Sequence, residues 1–228
     1  MKTPTERFSN RVENYAKYRP RYPDAALQLL CGIVPPPAVV ADIGSGTGIF
    51  TKQLLNAGFE VYAIEPNDAM RGEAERSLKS EPLFRSVKGT AESTSLPDHF
   101  ADLITSAQAF HWFDRVKAKA EFRRILRPGK WAALIWNERQ ADASRLGWKY
   151  EELLRLEAPE YSEANHRNVG SEDVRAFFEP GGGDCEAILQ CARAWPGSLY
   201  RKAVIYLLCA SHGRAGTPRH RCCRRAVV

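Results

Sequence analysis

No run of about 18 consecutive apolar residues occurs in this chain, so the sequence offers no helix able to cross a bilayer. Its opening, Met1-Lys2-Thr3-Pro4-Thr5-Glu6-Arg7, lacks the apolar stretch of a secretory signal, and a cytoplasmic address is the default expectation. Cysteine is nearly missing from the body of the chain. Cys31 stands alone there, whereas Cys185, Cys191, Cys209, Cys222 and Cys223 crowd the end. Without a secretory route these read as free thiols rather than a disulfide framework. Acids are missing after Glu186: from Ala187 to Val228 there are eight Lys+Arg and no Asp or Glu. The net charge of +6 therefore belongs to the tail, because residues 1–186 hold 25 Lys+Arg against 27 acids, a net of −2. The remainder is ordinary for a globular protein, with 228 residues, 44% of them hydrophobic and 26% charged. That length suffices for one α/β domain with a full core and is too short for two large ones.

The most informative stretch is Val39-Val40-Ala41-Asp42-Ile43-Gly44-Ser45-Gly46-Thr47-Gly48, followed at a distance by Glu65. Val39 to Ile43 is a short apolar run bounded by glycines, which predicts a buried strand. Ile49, Phe50, Leu54 and Leu55 then fall at helical spacing, so residues 44–48 form a tight turn from strand into helix. The first N–H groups of that helix have no partners within it and favour a carboxylate or phosphate at the turn. Gly58 to Ile64 predicts a second strand, ending on Glu65. An acid at the tip of that strand suits the two hydroxyls of a ribose. One βαβ unit thus offers a nucleoside site.

The spacing decides which nucleoside. A dinucleotide turn, G-x-G-x-x-G, would need a third glycine at position 49, which is Ile49. Asp42, two residues before the first glycine, would repel a pyrophosphate but attract an ammonium group. Both features oppose an NAD-dependent oxidoreductase. The pattern Asp42-x-Gly44-x-Gly46-x-Gly48 with Glu65 resembles motif I of the class I S-adenosylmethionine (AdoMet)-dependent methyltransferases. That resemblance implies a Rossmann-like α/β sheet with helices on both faces and AdoMet as cofactor. It implies Asp42 near the cofactor's amino-acid end, Gly44, Ser45, Gly46 and Gly48 clearing space for it, and Glu65 on the ribose.

Other segments take their expected places around this unit. Residues 1–23 contain Tyr15, Tyr18, Arg19 and Tyr22 among prolines that forbid a continuous helix. They resemble the N-terminal lid of the trans-aconitate methyltransferase-like group, whose tyrosines would pack on the cofactor or screen its sulfonium, since aromatic faces attract cations. The core is expected over residues 24–140, with Asp24, Asn67 or Asp68, and Asp114 capping helices and further strands over residues 84–88, 101–106 and 131–136. Ala91 and Glu92, after the third strand, are carried over from the resemblance as adenine contacts. Residues 107–113, Ala-Gln-Ala-Phe-His-Trp-Phe, should border the cofactor's reactive end, which brings in Gln108. His111 has the intrinsic pKa of a general base near neutral pH. A pocket wall or hydrogen-bond donor is its other reading. Residues 141–180 are expected to be a helical substrate cover, with one helix marked by Leu146, Tyr150, Leu153, Leu154 and Glu157 and another over 171–178.

Residues 181–228 fit the resemblance poorly. A complete sheet of this class needs a sixth and a seventh strand, but only Ala203 to Ala210 forms an apolar run here. The expectation is a sheet incomplete or irregular at those strands, and a basic Cys/Arg-rich tail of out-of-frame or otherwise aberrant origin. A zinc site from Cys209, His212, His220 and Cys222 matches no standard spacing. A basic arm for nucleic acid is chemically available and carries no sequence specificity. The sequence therefore predicts methyl transfer from AdoMet to a small molecule, a carboxylic acid among the candidates, with Arg19 or His111 orienting it. The alternative is a non-catalytic AdoMet or nucleic-acid binder.

Overall fold

The computed structural model describes residues 19, 21–139, 148–149, 152–153, 156–157, 171–178, 187–192 and 200–209. In chain order the elements are α1 (Asp24–Ile33), β1 (Val39–Ile43), α2 (Ile49–Asn56), β2 (Glu60–Ile64), α3 (Asp68–Leu78) and β3 (Phe84–Val87). There follow β4 (Ala101–Ala107), a 3₁₀ turn over Phe110–Trp112, α4 (Arg115–Ile125), β5 (Leu126–Arg139), α5 (Ser171–Phe178), β6 (Ala187–Ala192) and β7 (Tyr200–Cys209). None of the described helices is long and apolar enough to cross a membrane.

One seven-stranded sheet runs in the order β3-β2-β1-β4-β5-β7-β6. β1 pairs in parallel with both β2 and β4, so the strand order reverses between β1 and β4. In an open α/β sheet the crevice above that reversal is where ligands bind. Its floor is set by register, since Asp42 of β1 lies opposite Thr105 of β4.

Burial of both sheet faces explains the near-continuous apolar strands. On one face Val40, Val61, Leu103, Ala133 and Ile135 pack with Ala26 and Leu30 of α1 and with Phe50 and Leu54 of α2. On the other, Ala41, Ile43, Ile104, Ala132 and Leu134 pack with Phe122 and Ile125 of α4 and Phe177 of α5. Fully burying one such Leu, Ile or Phe side chain stabilises the fold by about 1.5–3 kcal/mol. Asn67 starts α3 by accepting from the N–H groups of Ala69 and Met70, both at 3.0 Å, and Asp114 starts α4 by accepting from Lys117 N. Asp24 departs from its expected role. It is the first residue of α1 rather than its cap, and no side chain caps that end. The entry is held from outside instead. Gln53 Oε1 accepts from Tyr22 N at 3.0 Å, and Gln53 Nε2 donates to Tyr22 O at 2.8 Å.

The expected gap at the sixth and seventh strands is not there. β7 pairs antiparallel with β5 over Trp131–Arg139, with one irregularity at Glu138/Arg139, and β6 pairs antiparallel with β7. Ile205 and Leu207 are buried against Ala133 and Ile135, while Tyr206 turns to the opposite face and meets Trp136 edge-on at 5.5 Å. An inner strand covered on both faces needs no alternation with polar residues, and β6 at the sheet edge is only six residues long. That is why neither stood out as an amphipathic run. Of the expected substrate cover, α5 forms as read, and residues 148–149, 152–153 and 156–157 are helical. Leu146, Tyr150 and Leu154 lie outside the described residues, as do Tyr15 and Tyr18 of the lid and His212, His220 and Cys222 of the tail.

Candidate cofactor site

A cavity of about 430 Å³ opens at the reversal point, above the carboxyl ends of β1, β2 and β4. That is within the range for a small-molecule site. Arg19, Asp42, Gly44, Ser45, Gly46, Glu65, Ala91, Glu92, Gln108 and His111, all singled out from the sequence, line it. Gly48 does not.

Its polar wall is built on two buried carboxylates. Asp42 is 1% exposed, and its oxygens accept from Thr51 Oγ1 at 2.7 Å and Thr105 Oγ1 at 2.9 Å. Neither donor carries charge, and no Lys or Arg among the described residues forms an ion pair with Asp42. Burial therefore dominates and pushes its carboxyl up to about 6, against the pull of the two hydroxyls. Glu65 is also buried. Its Oε2 accepts from Gly46 N at 2.9 Å and its Oε1 from Asn67 N at 2.8 Å, so the acid and the glycine turn hold one another. Burial raises its pKa as well, opposed by these two N–H groups and by Arg71, and reinforced by the charge of Asp42.

The turn's glycines do different jobs. Gly46 sits at φ +58°, and a Cβ there would meet only Met70 Sδ in ordinary contact at 4.0 Å, so its conformation is what requires glycine. At Gly44 a Cβ would stand 2.5 Å from Ala109 Cβ, so the loop after β4 closes directly on the turn. Gly48 serves packing, because a Cβ there would lie 2.8 Å from Leu78 Cδ1 and 3.2 Å from Ala74 Cβ, both on α3.

The opposite wall is aromatic. Phe110 is fully buried, with Phe177 at 4.8 Å, Phe113 at 5.9 Å and Trp136 at 6.0 Å between ring centroids, so it anchors the segment in the core. That anchor turns His111, Trp112 and Phe113 onto the cavity. The neighbouring loop is fixed by Glu121 of α4, whose Oε1 accepts from Thr94 N at 2.8 Å and Thr94 Oγ1 at 2.5 Å. Although burial acts the other way, the bonds from Arg124 and Thr94 hold the Glu121 carboxyl down at about 2. Glu92 Oε1 in turn accepts from Asp114 N at 2.8 Å.

Several contributors were invisible to sequence reasoning. Thr51 is one helical turn into α2 and Thr105 is 63 positions from Asp42, and only the register of β1 on β4 brings all three together. Thr90 and Asn67 also line the cavity, Asn67 being foreseen only as a cap.

AdoMet can be tested against this wall. The hydroxyls of Ser45 and Thr47 are buried on it with no hydrogen-bond partner among the described residues. Buried polar atoms of this kind are costly to leave unmatched, and a ligand with polar groups along the turn would match them. A cation beside Asp42 and a diol beside Glu65 would complete the match. The residues present fit the cofactor.

The sequence profile of the methyltransferase domain matches residues 41–134. An uncharacterized methyltransferase of Mycobacterium bovis is 38% identical over 146 residues, covering 63% of this chain and 56% of the relative. Malonyl-[acyl-carrier protein] O-methyltransferase of Methylococcus capsulatus is 36% identical over 129 residues, covering 53% of this chain and 46% of the relative. The chain thus spans about half the length of the curated relatives it matches. Among solved structures, an S-adenosyl-L-methionine-dependent methyltransferase of Methanococcus maripaludis shares the fold at TM-score 0.70 and 20% identity, over 94% of this chain and 98% of that one. Residues 41–134 of the chain are thus similar to the methyltransferase domain, and the sheet around them shares the fold of the solved Methanococcus structure.

Proposed function

We propose that this protein transfers the methyl group of AdoMet to a small-molecule acceptor, a carboxylic acid being the class that its site suits best. The observation that carries the reading is Asp42, a carboxylate without a cationic partner among the described residues, buried beside a second acid, Glu65, on one cavity wall. Such a wall favours a ligand that carries both positive charge and hydroxyls. When bound, the cofactor supplies a methyl group already activated by its sulfonium. The chain's own part is to hold, orient and dry the reactants. Asp42 and Glu65 fix the two ends of the nucleoside amino acid, and the aromatic wall of Trp112 and Phe113 keeps water from the reacting end. A carboxylate acceptor is already ionised near neutral pH, so no side chain has to remove a proton. Arg19 and His111, both lining the cavity, support this choice, as a cation and an N–H donor that orient an anionic group. The Methylococcus relative, by its name an O-methyltransferase, points the same way.

Calorimetry with AdoMet, followed by a screen of small acids, phenols and tRNA with labelled AdoMet, tests the reading. Saturable binding of AdoMet and label on a carboxylic acid are expected, and Gly46→Arg is expected to abolish the binding. Retained micromolar affinity in that variant refutes the assignment. Binding without transfer to any compound in the screen replaces the enzyme with a non-catalytic binder.

A further inference from the structure

A second cavity, of about 610 Å³, adjoins the first, and Arg19, Thr47 and Ile49 line both. Its charge is one-sided. Arg19 and Arg21 reach it from the segment before α1, Lys52 from α2 and Arg76 from α3, and Glu73 is the one acid among its lining residues. Glu73 is already ion-paired with Arg76, its neighbour three positions along α3. Lys52 is exposed and has no ion-pair partner among the described residues. Four cations brought together from three separate segments repel one another, and a cleft with a net surplus of one sign concentrates the opposite ion. The Thr47 hydroxyl, 5% exposed by residue and without a hydrogen-bond partner among the described residues, stands on the partition between the two cavities.

Methyl transfer as proposed above uses none of Arg21, Lys52 or Arg76. We propose that this cleft is a binding site for the anionic group of a small molecule, a phosphate or a carboxylate cluster. The group recognises the cleft through the charge of its Arg and Lys side chains, the exposed Lys52 ammonium first among them. Two sources fit the same chemistry: the far end of the methyl acceptor, or a separate anion that binds beside the cofactor.

The test is titration calorimetry of the full chain with inorganic pyrophosphate at low ionic strength. Saturable binding at one site is expected, and the double variant Lys52→Glu/Arg76→Glu should weaken it at least about tenfold, since two nearby charges change sign. Glu73→Gln should act oppositely and tighten it about two- to threefold, which a merely misfolded variant would not do. AdoMet affinity should stay within about twofold in all of these, because none of the three residues lines the cofactor cavity. Absence of saturable pyrophosphate binding, or equal binding by the wild type and the double variant, overturns the proposal. AdoMet is titrated separately, so failure of the cleft and failure of the methyl-transfer reading give different results. Competition between pyrophosphate and the acceptor found in the screen identifies the first source, and simultaneous binding identifies the second.

Discussion

The two walls of the cofactor cavity are made in opposite ways. The wall carried by β1 and β2 is polar and rigidly bonded: Asp42 is held by two threonines, and Glu65 is tied to the glycine turn and to Asn67. The wall after β4 is aromatic and held by packing, with Phe110 wedged among Phe177, Phe113 and Trp136. A hydrogen-bonded wall fixes one ligand in one pose, and a packed apolar wall tolerates a change of shape at modest cost. The difference teaches that the first wall suits a ligand held in one pose and the second a ligand whose shape can vary.

The walls touch at Gly44, so the largest effect is expected there. Gly44→Ala combines a 2.5 Å approach to Ala109 Cβ with a backbone at φ +70° and should cost about 2–4 kcal/mol of stability by urea denaturation. Adding Ala109→Gly should restore the part due to the clash. An unchanged urea midpoint in the single variant would show that the walls are not in contact.

Asp42→Asn sets cofactor affinity against stability. Burial gives the folded state the higher pKa, so the folded protein holds this proton more tightly than the unfolded chain does. The stability contributed by Asp42 is therefore present below its ordinary pKa of 3.8 and is lost as pH rises from there through about 6. At pH 7 Asp42→Asn should stabilise the protein without cofactor by about 1–3 kcal/mol, and the gain should vanish in acid. Its AdoMet affinity should fall by about 10- to 100-fold, because the charge facing the cofactor's cation is gone. A drop in melting temperature at pH 7 would break the polar-wall account.

Glu121 has the opposite sign. Its folded pKa of about 2 lies below the ordinary 4.5, so its contribution is present above 4.5 and fades as pH falls toward 2. Glu121→Gln should cost about 1–2 kcal/mol at pH 7 and weaken AdoMet a few-fold by loosening Thr94 and the loop of Ala91 and Glu92. Stability curves of variant and wild type that stay parallel below pH 4.5 would refute it. The smallest effect is expected at His111. With a carboxylate acceptor, His111→Gln should lower kcat less than about tenfold, whereas loss of a general base costs about 10² or more.

Much of the polar wall was legible in the sequence, because a strand, a glycine turn and an acid at the next strand's tip are local signals. What Asp42 rests on was not legible. Thr51 and Thr105 have no sequence mark, and only the pairing of β1 with β4 makes them neighbours. Gly48 has a second purpose without a sequence mark: its left-handed backbone belongs to the turn, and its missing Cβ leaves room for Ala74 and Leu78. In the aromatic segment periodicity could not tell that Phe110 faces the core while His111 to Phe113 face the cavity. β7 showed only as the apolar run Ala203 to Ala210, because a strand covered on both faces has no period-two alternation, and β6 is an edge strand of six residues too short to stand out.

The two-way bond between Gln53 and the main chain of Tyr22 has a mechanical consequence. Gln53 stands on the same short helix as Thr51, which steadies Asp42. The main chain at Tyr22 and the carboxylate near the carboxyl end of β1 are thus mounted on one rod. A substitution that unseats this rod would therefore disturb the start of α1 and the acid of the polar wall together.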